Sequence, residues 1–398
     1  MDVIPFSENE IQAFRAATKG TTSRIHFNNA GSSLPPDVVV QAVVDFLQEE
    51  AVHGGYETEA KYRSQLDNTY TLVAKVINAQ PDEIALVENA SAAWHIAFNG
   101  LDFKPGDEVI TSEMEYASNV LGLLNTQKLY GIVIRMVPND EHGNFSIDAF
   151  EAAITPKTKL IAITQVPSTA GNILPVAEIG KVARKHKITY LLDACQAVGQ
   201  MPVDVQVIEC DMIAVTGRKY LRAPRGTGFL YVRKEMQDKL KMTGLDGHGV
   251  SSMDQQGFVL RNDARRFEWY EKNLAVIMGF QTAVEYALNA GVERIWQRIQ
   301  QLSSMLREHL QEIDGITVHD QGDALCGIIT FSVDGIPAAT VKNRLFEKNI
   351  NVSIGFAKAT LYYMNRKQLD GIIRASVHYY NTAEEIDTMC RELRIIKV

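Results

Sequence analysis

Cysteine is scarce: the 398 residues contain only Cys195, Cys210, Cys326 and Cys390, with neither CxxC spacing nor paired histidines beside them. This excludes a disulfide scaffold and a thiolate zinc centre, and it predicts buried, reduced thiols. Long hydrophobic runs are also missing. Even residues 160–166 contain Thr164 and Gln165, far short of the ~20 apolar residues that span a bilayer, so no membrane partner is expected. Positive charge is in deficit, with 40 Lys and Arg against 48 Asp and Glu and a net charge of −8. A broad cationic surface for phosphate backbones is therefore excluded, and no nucleic-acid partner is expected. The first ten residues carry Asp2, Glu8 and Glu10 and lack both a basic segment and an apolar segment. No secretory leader is read there, and a cytoplasmic location is expected. Repeats, low-complexity runs and Pro/Gly/Ser-rich linkers are absent too.

What is present is an ordinary globular composition, 46% hydrophobic and 22% charged, enough for a large core. Helical patterns at 38–50, 66–78 and 177–186 alternate with short β-branched runs at 84–87, 108–111, 133–137, 160–164, 190–192, 212–215 and 228–232. Such alternation predicts an α/β fold with one mostly parallel wound sheet covered by helices. After residue 258 the pattern changes. A long helical stretch over 274–313, broken near Gly291, leads to a strand at 327–333, a helix at 338–348 and a last strand at 372–376. The expected organisation is an N-terminal arm over 1–20 packing with the small domain, a large domain over 21–258 and a smaller α+β domain over 259–398.

In wound sheets, ligands bind beyond the carboxyl ends of the strands. Three strand ends are followed by polar residues: Asn89-Ala90-Ser91-Ala92, Asp193-Ala194-Cys195-Gln196 and Thr216-Gly217-Arg218-Lys219. The first opens a helix, whose N-terminal N–H groups favour an anion, although Ser91 would serve equally as a helix cap. Thr216 and Arg218 offer a hydroxyl and a cation for the same anion. Lys219 presents an amine in a turn dense in Gly, Pro and Arg, where a lysine can form an imine. Asp193 either caps the next turn or faces a cationic ring nitrogen.

Together these residues resemble class V aminotransferase-like, fold-type I pyridoxal-phosphate enzymes, the group of cysteine desulfurases, isopenicillin N epimerase-like proteins and ergothioneine-pathway C–S lyases. The resemblance runs through Phe27-Asn28-Asn29-Ala30-Gly31, His53-Gly54-Gly55-Tyr56-Glu57, the Ser91 helix start, Glu113-Met114-Glu115-Tyr116-Ala117-Ser118-Asn119, Asp193-Ala194-Cys195-Gln196, the Lys219 turn, Arg374-Ala375-Ser376 and Tyr380-Asn381-Thr382. It implies that Lys219 is the Schiff-base lysine, Asp193 the partner of the pyridinium nitrogen and Gln196 a neighbour of the phenolic oxygen. Ser91, Ala92, Thr216 and Arg218 would hold the phosphate, Tyr116 would stack on the ring, and Ser168 would complete the cofactor site. Arg374 would clamp the α-carboxylate of an amino-acid substrate, with Asn29 and Tyr56 beside it.

Two departures narrow the implied reaction. Tyr116 stands where many desulfurases have a histidine, and residues 353–368 contain no cysteine where desulfurases carry a sulfur acceptor. The expected activity is α,β-elimination on an S-substituted cysteine or its sulfoxide, giving pyruvate and ammonia. Transamination or epimerisation is the alternative, and a non-catalytic scaffold the third reading. A homodimer with shared active sites is expected from the stretch Arg265-Arg266-Phe267-Glu268-Trp269-Tyr270-Glu271-Lys272-Asn273, which in the resembling family reaches toward a partner's phosphate.

Overall fold

A computed structural model describes residues 3–397; residues 1, 2 and 398 of the expected arm and C-terminal domain lie outside it. Among the described residues the dominant element is a seven-stranded sheet. Its order is Ile84–Val87, Gly228–Val232, Met212–Thr216, Thr189–Asp193, Thr158–Thr164, Glu108–Ser112 and Val133–Val137. All neighbours run parallel except Gly228–Val232, which is antiparallel to both strands beside it. The four-residue and five-residue runs IALV, MIAVT and GFLYV are buried throughout. Helices covering both faces of the sheet explain why these strands read as continuous apolar runs rather than alternating ones. Register then sets the site: Thr164 pairs with Asp193 and Asp193 with Ala214, which brings three strand ends to one edge of the sheet.

A second, antiparallel sheet is ordered Ile316–Val318, Ile328–Val333, Gly371–Ser376 and Ser353–Phe356. It places Arg374 opposite Ser353 and Thr330. The helix Glu8–Ala16 binds near the chain's other end. Arg15 bonds Glu385 at 2.8 Å, Glu10 meets Arg294 at 2.8 Å, and Phe14 packs edge-on against Tyr379 at 5.0 Å between ring centroids.

The Leu274–Ala290 helix lies against Asp37–His53 and Gly55–Val76, helices of the large domain. Gly279 makes the approach possible, because a Cβ there would stand 2.6 Å from a Val43 methyl and 2.8 Å from Pro224. Gly291 ends this helix at φ 89°, a conformation that suits glycine. We therefore propose Gly291, rather than residue 258, as the boundary between the domains. Gly54, at φ 93°, ends one helix and begins the next, so it serves as a cap.

Candidate active site

The carboxyl edge of the large sheet opens into a cavity of about 440 Å³ whose wall contains Ser91, Tyr116, Ser168, Asp193, Gln196, Thr216, Arg218 and Lys219. Eight of the expected residues therefore meet in one place. A larger cleft of about 800 Å³ lies elsewhere, between Gly55–Val76 and the 265–274 segment. We propose the smaller cavity as the site of the chemistry, since the lysine, the buried aspartate and the helix N-terminus converge there.

Lys219 follows Met212–Thr216 in a turn closed by Gly217 N–H donating to the Thr227 carbonyl at 2.9 Å. Its Nζ lies 5.9 Å from the centre of the Tyr116 ring. Among the described residues no hydrogen bond or ion pair holds this amine. Burial pushes it below the ordinary lysine value, although the charge of Asp193 opposes the shift. Asp193 ends its strand. Its carboxylate accepts from the Cys195 N–H at 2.9 Å and from Asn119 Nδ2 at 2.9 Å, which fixes it without a cation.

At the helix Ala90–Asn99 the geometry corrects one expectation. Asn89 is the cap, and its side chain accepts from the Ala92 N–H at 2.9 Å. That amide is already satisfied, so the cavity wall here is Asn89, Ala90 and Ser91 rather than Ala92. Arg218 lines the cavity while its guanidinium donates to the Gly31 carbonyl.

Arg374 donates from Nε to Ser353 Oγ at 2.9 Å and from Nη1 to the Ser168 carbonyl at 2.7 Å, while Nη2, among the described residues, is held only by Asn28 Oδ1 at 3.4 Å. Burial lowers its guanidinium to about 10, so it remains a cation at neutral pH. Asn28, not Asn29, is the asparagine beside it. Asn29 is fully buried and donates to the Ser376 carbonyl at 2.7 Å while accepting from Tyr380 at 2.6 Å, so it ties the N-terminal segment to the second sheet. Tyr56 is 74% exposed and lines the larger cleft, so within one chain it stands apart from Lys219.

The sequence alone assigned no role to Asn89, Asn119 and Thr164 on the wall, or to Asn28 and Ser353 around Arg374. Asn119 lies in the first turn of Ala117–Tyr130 and Glu115 precedes that helix, so their contact at 2.7 Å depends on how the chain enters the helix and not on helical spacing.

The wall suits pyridoxal phosphate. Gln196 Oε1 and Ser168 Oγ are buried there without a hydrogen-bond partner, a costly state for polar atoms that a polar ligand relieves. A carboxylate, an amine with no ion-pair partner and a helix N-terminus supply matching groups for a cationic ring nitrogen, an aldehyde and a phosphate.

Comparison with known proteins agrees. A probable cysteine desulfurase of Methanothermobacter thermautotrophicus is 31% identical over 378 residues, covering 94% of both chains. The apo structure of a cysteine desulfurase from Thermococcus onnurineus NA1 superposes with a TM-score of 0.91 at 26% identity, covering 100% of this chain and 99% of that one. The fold is shared as well with a cystine C–S lyase in complex with cysteine persulfide, at TM-score 0.87 and 22% identity, covering 95% and 99% of the two chains. The class-V aminotransferase profile matches residues 25–389, and the chain belongs to that family of pyridoxal-phosphate-dependent enzymes.

Proposed function

We propose that this enzyme is a C–S lyase that eliminates the sulfur substituent from an S-substituted cysteine or its sulfoxide, yielding pyruvate and ammonia. The observation that carries the reading is the absence of a thiol able to accept sulfur. All four cysteines are buried, and burial pushes each thiol up. Cys195 is on the cavity wall, yet the neighbouring Asp193 charge adds to burial in keeping it protonated. The 353–368 segment contains no cysteine and is pinned in place. Thr169 bonds Thr360 at 2.6 Å, Arg366 pairs with Glu113, and Tyr363 and Met364 are buried.

Pyridoxal phosphate, when bound, would supply an aldehyde for the substrate amine and a ring able to take up the electron pair left at Cα. Arg374 holds the α-carboxylate, turning Cα toward Lys219. Lys219 Nζ, unpaired and lowered by burial, accepts the Cα proton. The Cβ–S bond breaks with its electron pair leaving on sulfur, and the released 2-aminoacrylate hydrolyses to pyruvate and ammonia. Tyr116 covers the lysine side of the cavity, and Asp193 keeps a positive charge on the ring nitrogen.

The test is to incubate the holoenzyme with S-alkyl cysteines, their S-oxides and free cysteine, and to quantify pyruvate, alanine and released thiol. Pyruvate equimolar with thiol is expected from S-alkyl cysteines, and pyruvate with sulfenic acid, read as its condensed thiosulfinate, from their S-oxides. Alanine from cysteine, with sulfur on the protein, would establish desulfuration instead, while racemised substrate or a keto acid retaining sulfur would establish epimerisation or transamination.

We further infer a homodimer whose two sites are shared. The 800 Å³ cleft joins Glu50, Tyr56 and Arg63 to Arg265, Tyr270 and Lys272, and a neighbouring cleft runs from Leu47 to Glu88 and Gly228, next to the Asn89 cap. Tyr56 and Tyr270 are 74% and 61% exposed there, as befits rings awaiting a partner surface. Phe267, by contrast, is buried in its own subunit and takes no part. Light scattering is expected to give twice the 44.3 kDa chain mass; a fully active monomer would contradict it. Four free thiols suit a reducing compartment, and we place the enzyme in the cytoplasm. No described helix is long and apolar enough to cross a membrane.

A further inference from the structure

Behind Asp193 lies a second buried carboxylate that the elimination scheme does not use. Glu115 Oε1 accepts from the Tyr116 N–H at 2.9 Å, from Asn119 Nδ2 at 2.7 Å and from the Thr164 hydroxyl, while Oε2 accepts from Thr111 Oγ1 at 3.2 Å. Four donors therefore converge on one side chain that is 1% exposed. Two of these donors, the Tyr116 N–H and the Asn119 amide nitrogen, cannot accept, and both are aimed at Oε1, so the pocket turns positive dipoles toward the carboxylate. The Asn119 amide is shared: Nδ2 also donates to Asp193 Oδ2 at 2.9 Å, spending its hydrogens on two carboxylates.

We propose that Glu115 is a positioning residue for the cofactor ring: through Asn119 it fixes the Asp193 carboxylate, and its charge strengthens the hold of the ring nitrogen on its proton. The inference rests on pyridoxal phosphate binding with its ring nitrogen at Asp193, and it is independent of which substrate is cleaved. A negative charge behind Asp193 favours a cation in front of it, because both lie in a water-poor pocket where screening is weak. Burial, and then the Asp193 charge, push Glu115 up to about 7, so the glutamate is mostly ionised at pH 8. The other titratable group facing it is Tyr190, whose phenol burial holds neutral.

The experiment loads the protein with pyridoxal phosphate labelled with ¹⁵N in the ring and records the nitrogen chemical shift at pH 8. For wild type a pyridinium shift is expected, and for Glu115→Gln a move toward neutral pyridine with kcat lower by about tenfold, the equivalent of one pK unit at the ring nitrogen, and KM little changed. Thr111→Val removes one donor to Glu115 and is expected to move the resonance in the same direction by less; it decides the matter if Glu115→Gln does not fold. A folded, loaded Glu115→Gln enzyme with the wild-type shift would overturn the proposal. A neutral pyridine in wild type would overturn the role of Asp193 and this inference with it, whereas loss of the lyase activity assignment alone would leave the shift difference intact.

Discussion

Lys219→Ala is expected to abolish covalent attachment of the cofactor and to lower elimination by at least about 10³-fold to 10⁴-fold. The substitution removes two functions at once: the amine that forms the exchangeable imine, and the base that takes the Cα proton, a role worth about 10²-fold to 10⁴-fold by itself. No other lysine is a candidate on the described cavity wall, where Lys219 is the sole amine. Borohydride reduction of wild type followed by peptide mapping reads the assignment directly. A pyridoxyl label on the peptide containing Lys219, and none on Lys219→Ala, is expected. A label on any other lysine would show that the turn after Met212–Thr216 is not the attachment point. The fold is expected to survive the change, because no hydrogen bond or ion pair of the Lys219 amine holds the turn among the described residues. The turn is closed by backbone bonds, including Arg222 N–H to the Lys219 carbonyl at 2.9 Å.

Asp193→Asn is expected to bind pyridoxal phosphate with little loss and to turn over on the order of 10²-fold to 10³-fold more slowly, the usual cost of removing one preorganised charge from a reacting centre. Binding persists because the groups assigned to the phosphate, at Ser91 and Thr216, lie on other strand ends and do not contact Asp193 through any bond it makes. Turnover falls because a neutral amide leaves the ring nitrogen without the partner that keeps it cationic. An asparagine oxygen can still accept the Cys195 N–H, so collapse of the strand end is not expected. The discriminating measurement is reconstitution with a pyridoxal phosphate analogue methylated at the ring nitrogen, which is permanently cationic. Recovery of a large part of the lost rate by Asp193→Asn is expected, whereas near-normal turnover of the variant with ordinary pyridoxal phosphate would contradict the role given to Asp193.

Strand periodicity and the residues following each strand were enough to place Lys219, Asp193, Thr216 and Ser91 near one another, because in a wound sheet every parallel strand delivers its carboxyl end to the same edge. The Gly291 break and the lack of a cysteine in 353–368 were equally plain, since each depends on residue type at a single position. The sequence could not show which of two adjacent asparagines faces Arg374. Asn28 and Asn29 differ only in direction along an irregular segment, and the bridge of Asn28 to Ser376 across the fold sets that direction. Nor could it show that Asn89 takes the Ala92 amide, that Tyr56 points into a different cleft, or that Leu274–Ala290 packs on the large domain. Spacing along one element decides which side chains share a face. Whether two faces meet depends on sheet order, crossing helices and the space left by residues such as Gly279. For that reason the Glu115–Asn119–Asp193 bridge, which joins a helix start to a strand end, exists only in the folded chain.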